Sequence, residues 1–240
     1  MIHLGDTLPL IAAEKAGIIK PNVPVITAAE PEALEVIRAT ARDRNAPLTH
    51  IRTPGPEVLE LKLRLPGEFQ ALNAATAWAV AEEIRTRGFD IPDSAIRRGL
   101  ESAYIPGRLE VLREHPTLLI DGAHNADAAR RLAGALRSDF EFDRLILVMG
   151  MVSGHVIQDV LEVLAPLAGR FIATSPSNER AAPASELASV ARPHCPDVAE
   201  IVPVSEAVRA ALADARENDL VLVTGSFYTI GEVPRKAVGG

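Results

Sequence analysis

Four short segments of the chain gather polar and charged side chains, and in three of them the types and spacing suit phosphate or nucleotide binding. In Asp121-Gly122-Ala123-His124-Asn125 a carboxylate, two small residues, an imidazole and an amide stand in a row. The small residues let another molecule approach the backbone, and unpaired N–H groups at the start of a following helix favour an anion. Asp121 can accept hydrogen bonds from a vicinal diol such as a ribose. The competing reading is a strand-to-helix turn in which Asn125 simply caps the helix. Upstream, Gly107-Arg108-Leu109-Glu110 offers a guanidinium able to hold a phosphoryl group bidentately, and the alternative there is an ion pair of Arg108 with Glu110 or Glu114.

The third segment runs from Leu65 through Pro66-Gly67-Glu68-Phe69-Gln70 to Asn73. Gln70 and Asn73 are three residues apart and share a helix face. Each carries both a donor and an acceptor, which suits the edge of a purine; a helix cap and a solvated face are the plainer alternatives. The fourth is Leu4-Gly5-Asp6-Thr7-Leu8 followed by Ile11 and Glu14-Lys15-Ala16-Gly17-Ile18. Lys15 lies at helical spacing from Leu8 and Ile11, so its stem is expected to face inward, where an amine is costly unless paired or modified.

The elements that must position these residues fall into two patterns. Before Tyr104 the chain mixes a helix ending at Gly17, a buried strand Val23 to Thr27, a helix Pro31 to Arg44 and a break at Pro54-Gly55-Pro56. It continues with an alternating strand Val58 to Leu65, a long Ala-rich helix Glu68 to Arg87 and a helix Asp93 to Ala103. Tyr104-Ile105-Pro106-Gly107 marks a boundary. Beyond it, strands at Thr117 to Asp121, Leu145 to Met149, Arg170 to Thr174, Val198 to Val202 and Leu220 to Thr224 alternate with amphipathic helices. Continuous apolar strands between such helices predict a mostly parallel, Rossmann-like sheet covered on both faces. Ligands of such sheets bind beyond the carboxyl ends of the strands, which is where Asp121 to Asn125 and Thr224-Gly225-Ser226 fall.

Taken in order, these motifs resemble the folylpolyglutamate synthases, including the bifunctional dihydrofolate synthases, of the Mur ligase superfamily. The ordered set is leucine-glycine at Leu4-Gly5, glutamate-lysine-alanine-glycine-isoleucine at Glu14 to Ile18, and the glycine-x-x-glutamine-x-x-asparagine helix at Gly67 to Asn73. Proline-glycine-arginine at Pro106 to Arg108, aspartate-glycine-alanine-histidine-asparagine at Asp121 to Asn125, and Gly225-Ser226 complete it. The resemblance covers nearly the whole chain. It implies an α/β protein with residues 1–105 as a partial P-loop-type central (ATP-binding) domain and 106–240 as the carboxyl-terminal glutamate ligase domain. It also implies ATP and Mg²⁺ as cofactors, folate and L-glutamate as substrates, and amide formation through an acyl phosphate. By position in the family pattern, Gln70 and Asn73 would face adenine and Asp121 the ribose. Arg108 would hold phosphate across an interdomain cleft, and His124 would lie near the nucleotide or the acyl phosphate. Lys15 corresponds to a lysine that the family carbamylates and uses as a Mg²⁺ ligand, so Lys15, Arg108 and His124 are the candidate catalytic residues.

The departures from the family are as informative. No Gly-x-x-x-x-Gly-Lys-Ser/Thr occurs in the 240 residues. Counted back from Leu4-Gly5, the family's metal-binding histidine falls just before Met1, and His3 is offset from it. Phe69 stands where a histidine is common, and Ser153-Gly154-His155 where aspartate-lysine-aspartate often stands. The expectation is therefore a truncated ligase, inactive alone, with an open sheet edge and apolar helix faces. It would be completed by a preceding segment or by a P-loop-bearing partner chain. Rival readings are another Mur-type amino-acid ligase acting on a cell-wall precursor, and a dehydrogenase domain. The second is opposed by the lack of Gly-x-Gly-x-x-Gly after a strand.

Composition bounds the rest. A formal net charge of −7 without Lys or Arg runs argues against a nucleic-acid or membrane-surface partner. One cysteine, Cys195, leaves no internal disulfide or thiolate metal cage and reads as a partly buried loop thiol. No charged segment followed by an apolar stretch opens the chain, and a cytoplasmic setting is expected.

Overall fold

The computed structural model describes residues 7–153 and 157–235. Leu4-Gly5-Asp6, His3 and the Gly154-His155 pair lie outside the described residues. The chain divides into two compact units: one extends to Arg64 and resumes over Glu68–Ala103, and the other takes Leu65–Gly67 and the chain from Tyr104 onward.

The first unit contains α1 (Leu8–Ala16), β1 (Val25–Thr27), α2 (Pro31–Asp43), β2 (Leu48–His50), α3 (Pro56–Leu59), α4 (Phe69–Thr86) and α5 (Asp93–Glu101). Proline in the first turn of α1, α2 and α3 presets the helical φ where its missing N–H costs nothing. β1 and β2 pair in parallel, Val25 opposite Leu48 and Thr27 opposite His50. Ala16, Ile19, Ala41 and Ala46 form one small core, which α1 and α2 share. Val58, Ala74, Ala75, Trp78 and Ile96 form another, with the Arg97 guanidinium 5.7 Å above the Trp78 ring. Leu10, Ile18 and Leu59 are exposed.

Two expectations for this unit are corrected. The alternating segment Val58 to Leu65 is not a strand. Gly55 and Pro56 start a helical turn that buries Val58 against α4, while Leu61 and Leu63 pack on the same cluster. The alternation is thus real as burial, but no partner strand supplies a ladder. Lys15 does not point inward: its side chain is exposed, and the buried residues of α1 are Ala12 and Ala16. At about 100° per residue, these alanines lie to one side of the Leu8–Ile11–Lys15 stripe, and their small side chains suit a close approach to α2.

The second unit begins with β3 (Glu110–Glu114) and β4 (Thr117–Ile120), followed by α6 (Ala126–Ser138), β5 (Leu145–Met149) and α7 (Ile157–Leu164). It continues through β6 (Arg170–Ala173), α8 (Ala184–Ala191), β7 (Val198–Glu200), α9 (Val204–Asp214), β8 (Leu220–Thr224) and α10 (Phe227–Gly231). The six strands lie in the order β3-β4-β8-β5-β6-β7. All pairs are parallel except β3 with β4. Leu118, Ile120, Ile146, Val148, Ile172, Val221 and Val223 point from one face onto Val204, Ala207, Val208 and Ala211 of α9 and onto Ile230. The intervening residues, such as Leu119, Leu147, Phe171 and Leu222, point to the other face because side chains alternate along a strand, and they too are fully buried. α6, α7 and α8 pack side by side, with α8 against β6. The expected mostly parallel sheet is therefore present.

β3 and α10 are absent from the sequence-based assignment. β3 is an edge strand rich in charge, and α10 is five residues long, so neither leaves a usable apolar period. Cys195 is buried and its thiol donates to the carbonyls of Ala168 and Asp197. No helix among the described residues is long and apolar enough to cross a membrane.

Candidate nucleotide and phosphate site

The loops after β4 and β8 meet because their strands are neighbours. Asp121 N–H donates to the Val223 carbonyl at 3.1 Å, and Gly225 N–H donates to the Ala123 carbonyl at 3.1 Å. Gly225 has φ 104°, and a Cβ there would lie 2.5 Å from the Gly150 carbonyl oxygen, so only glycine permits this junction. Ser226 caps α10 by accepting from Thr229 N–H at 3.0 Å, and the Thr229 hydroxyl donates to the Gly150 carbonyl at 2.7 Å. The ends of β4, β8 and β5 are thereby fastened together.

The segment carrying Arg108 is held to this junction by two buried carboxylates. Asp121 accepts from Leu109 N–H at 3.0 Å through one oxygen and from Ala123 N–H at 2.8 Å through the other. Burial pushes the Asp121 carboxyl above its usual value, although those N–H donors and the charges of Arg108 and His124 oppose the rise. Glu110 accepts from Gly107 N–H at 2.7 Å and from both terminal nitrogens of Arg235 at 2.6 and 3.0 Å, and it takes the Tyr104 hydroxyl as well. Burial alone would raise the Glu110 carboxyl, but the bonds from Arg235, Tyr104 and Gly107 outweigh it and hold the group below the usual glutamate value. Donating to Glu110 pushes the Tyr104 phenol above its usual value. Gly107 at φ 73° and Leu109 at φ 43° give the tight turn between the two carboxylates, with Arg108 at its apex.

Arg108 itself is exposed, with its guanidinium carbon 5.1 Å from the centroid of the Phe227 ring. The ion pair weighed for it with Glu110 or Glu114 does not form. Glu110 is taken by Arg235, and Arg108 has no salt bridge among the described residues. His124 is half-buried, and its Nδ1 lies 2.9 Å from the Gly122 carbonyl. A carbonyl can only accept, so Nδ1 is the donor in this contact and the Nε2 edge of the ring is turned away from it. Asn125 caps α6, accepting from Ala128 N–H at 2.9 Å, as the plainer reading holds.

Arg108, Asp121 and His124 thus come together in the second unit. Asp121 departs from its expected part in one respect: each of its oxygens already accepts a backbone N–H, so its first task is to tie the Arg108 turn to β4. Gln70 and Asn73 meet on the first turn of α4 in the other unit. Asn73 Nδ2 donates to Gln70 Oε1 at 2.9 Å, with Gln70 buried and Asn73 exposed. Lys15, on α1 of the first unit, is exposed and makes no ion pair or side-chain hydrogen bond among the described residues. Among those residues no cluster of three His, Cys, Asp or Glu side chains is placed to hold a metal ion. Sequence reasoning missed the Tyr104–Glu110–Arg235 cluster and Phe227. Arg235 lies 125 residues beyond Glu110, and no spacing signals such a pair.

A family model described as Mur ligase, glutamate ligase domain matches residues 107–227. The dihydrofolate synthase/folylpolyglutamate synthase of Bacillus subtilis is 31% identical over 97% of this chain and 59% of its own length. The solved Mycobacterium tuberculosis folylpolyglutamate synthase complexed with ADP is similar with a TM-score of 0.84 and 26% identity, over 100% of this chain and 61% of that one. The bifunctional folylpolyglutamate synthase/dihydrofolate synthase of Yersinia pestis complexed with AMPPNP and Mn ion gives a TM-score of 0.80 and 29% identity, over 96% and 57%. The chain thus spans about three fifths of the length of these relatives.

Proposed function

The chain belongs to the Mur ligase family through its glutamate ligase domain, and from that premise we propose that it forms part of an ATP-dependent ligase that adds L-glutamate to a folate. In this reading a folate carboxylate takes the γ-phosphoryl group of ATP, releasing ADP. The amine of glutamate then attacks the acyl phosphate, and phosphate departs. Two anions must approach each other in both steps, so the chemistry depends on fixed positive charge that bulk water does not screen. The observation that carries the proposal is the state of Arg108. It is exposed, makes no salt bridge among the described residues, and is set at the apex of a turn that two buried carboxylates hold beside His124.

In this function Arg108 takes the phosphoryl oxygens. His124, whose Nδ1 is turned to the Gly122 carbonyl, addresses a phosphate or acyl-phosphate oxygen through Nε2. The remaining lone pairs of Asp121 accept from the ribose hydroxyls, while Gln70 and Asn73 address adenine. Residues 1–105 then serve the ATP-binding part of the reaction and residues 106–240 the glutamate-ligating part. A divalent ion in such sites needs only one or two protein carboxylates beside the substrate phosphates. Lys15 would supply one of them as its carbamate, and its exposure leaves the amine open to carbon dioxide. Native mass measurement at neutral pH with bicarbonate is expected to find the carbamate on Lys15 and lose it in K15R; an unmodified amine beside bound Mg²⁺ would remove that role. A cytoplasmic setting and a P-loop-bearing segment or partner chain belong to the same proposal.

The test is ADP release in the presence of Mg²⁺, ATP, a folate and L-glutamate. By itself the chain is expected to give no turnover above background, since no phosphate-cradling glycine loop occurs in its sequence. Joined to or mixed with the P-loop-bearing amino-terminal segment of a relative, it is expected to release ADP only when both folate and glutamate are present. Turnover indifferent to the folate, or equal with a cell-wall peptide precursor in its place, would overturn the assignment.

A further inference from the structure

We infer that Phe227 is a positioning residue, whose ring sets Arg108 and His124 side by side so that both address one phosphate group. The inference rests on the phosphate role proposed for Arg108. Phe227 opens α10 directly after the Ser226 cap, so the strand end of β8 fixes its backbone. Its ring receives the Arg108 guanidinium at 5.1 Å and the His124 ring at 6.5 Å between centroids, tilted by 55°. The ring also accounts for a glycine in the Asp121 loop. A Cβ on Gly122 would meet Phe227 Cζ at 2.6 Å and Cε1 at 2.7 Å, so that position must be bare for the ring to lie where it does. Gly107, just before Arg108, is similarly crowded by Ile230 and approached by Phe227.

A purely structural role fits this side chain poorly. Phe227 is 48% exposed, in a unit whose core aromatic, Phe171, is fully buried. A half-exposed ring adds little burial energy, yet it lies against Arg108, His124 and the glycine of the Asp121 loop. A face-on aromatic attracts a guanidinium and limits its rotamers. Arg108 is therefore held near its working position before any anion arrives, which lowers the entropy cost of binding.

The experiment uses the full 240-residue chain with inorganic pyrophosphate as the probe. Affinity is read by calorimetry, and the His124 imidazole is followed by proton NMR as pyrophosphate and pH are varied. F227A is expected to weaken pyrophosphate about threefold to fivefold, the range of an exposed cation–π contact. It is also expected to abolish the ring-current displacement of the His124 signals while lowering the unfolding midpoint no more than R108A does. F227Y, which keeps the ring, is expected to restore both readouts. Wild-type affinity in F227A, or weakening that F227Y does not rescue, overturns the inference while R108A still weakens binding. No saturable binding by the wild-type chain, or an R108A variant that binds as the wild type does, removes the phosphate site and this inference with it.

Discussion

Replacing Arg108 by alanine is expected to lower kcat/KM of the P-loop-completed ligase by about two to three orders of magnitude, the loss seen when one preorganised charge is removed from a transition state. Stability is expected to change little. Arg108 is exposed and makes no salt bridge among the described residues, so the variant forfeits chiefly its contact with Phe227, about 0.5–1 kcal/mol. R108K keeps a positive charge but lacks the planar pair of donors, and it is expected to fall between the two. The measurements are steady-state ADP release and thermal unfolding on the same preparations. Loss of activity together with a large fall in midpoint would mean that Arg108 is structural. Unchanged kinetics would mean that phosphate is held by other groups.

Glu110 should behave in the opposite way, with a large effect on stability that precedes any effect on chemistry. Its side chain is 4% exposed and receives Arg235, Tyr104 and Gly107 N–H. E110A leaves the Gly107 N–H buried without a partner and breaks a bidentate pair. A fully buried pair broken on one side costs about 3–5 kcal/mol. Arg235 is 43% exposed and can recover water, so about 3 kcal/mol is expected, read as a fall in the denaturant midpoint at constant slope.

The dependence on pH gives a second, independent reading. The folded-state pKa of Glu110 is lowered, so its contribution is fully present above the usual glutamate value of 4.5 and is lost as pH falls through the lowered value. Wild type and E110A should therefore converge in strong acid and diverge toward neutral pH. Asp121 works with the other sign. Its raised folded value means that it favours the folded state most below 3.8, and this advantage disappears as pH rises through the raised value. Stability that is equal in the two chains at neutral pH would show that the Glu110 cluster does not hold the turn.

The parallel sheet was legible because each of its inner strands is a short unbroken apolar run between amphipathic helices. Leu145–Met149 and Leu220–Thr224, fully buried on both faces, are the clearest cases. The chemistry-bearing motifs were legible by residue type and order, since a guanidinium, an imidazole and paired amides advertise their bonding capacity without a structure. Lys15 was misread because a period tells which residues share a face but not which face meets the core. On α1 the small side chains of Ala12 and Ala16 won that choice. At Val58 to Leu65 the strand had no partner to pair with.

The amino-acid sequence by itself determined the inventory, namely which groups can donate, accept or carry charge, and the alternation that builds a sheet with loops at one end. Only the tertiary structure decided allegiance. Glu110 had two arginines to choose from, Arg108 two positions before it and Arg235 far along the chain, and it is Arg235 that the fold brings to it. That choice depends on where α10 and the turn at Gly107 bring the chain back together. Such long-range placement is fixed by packing and backbone geometry, and no local spacing encodes it.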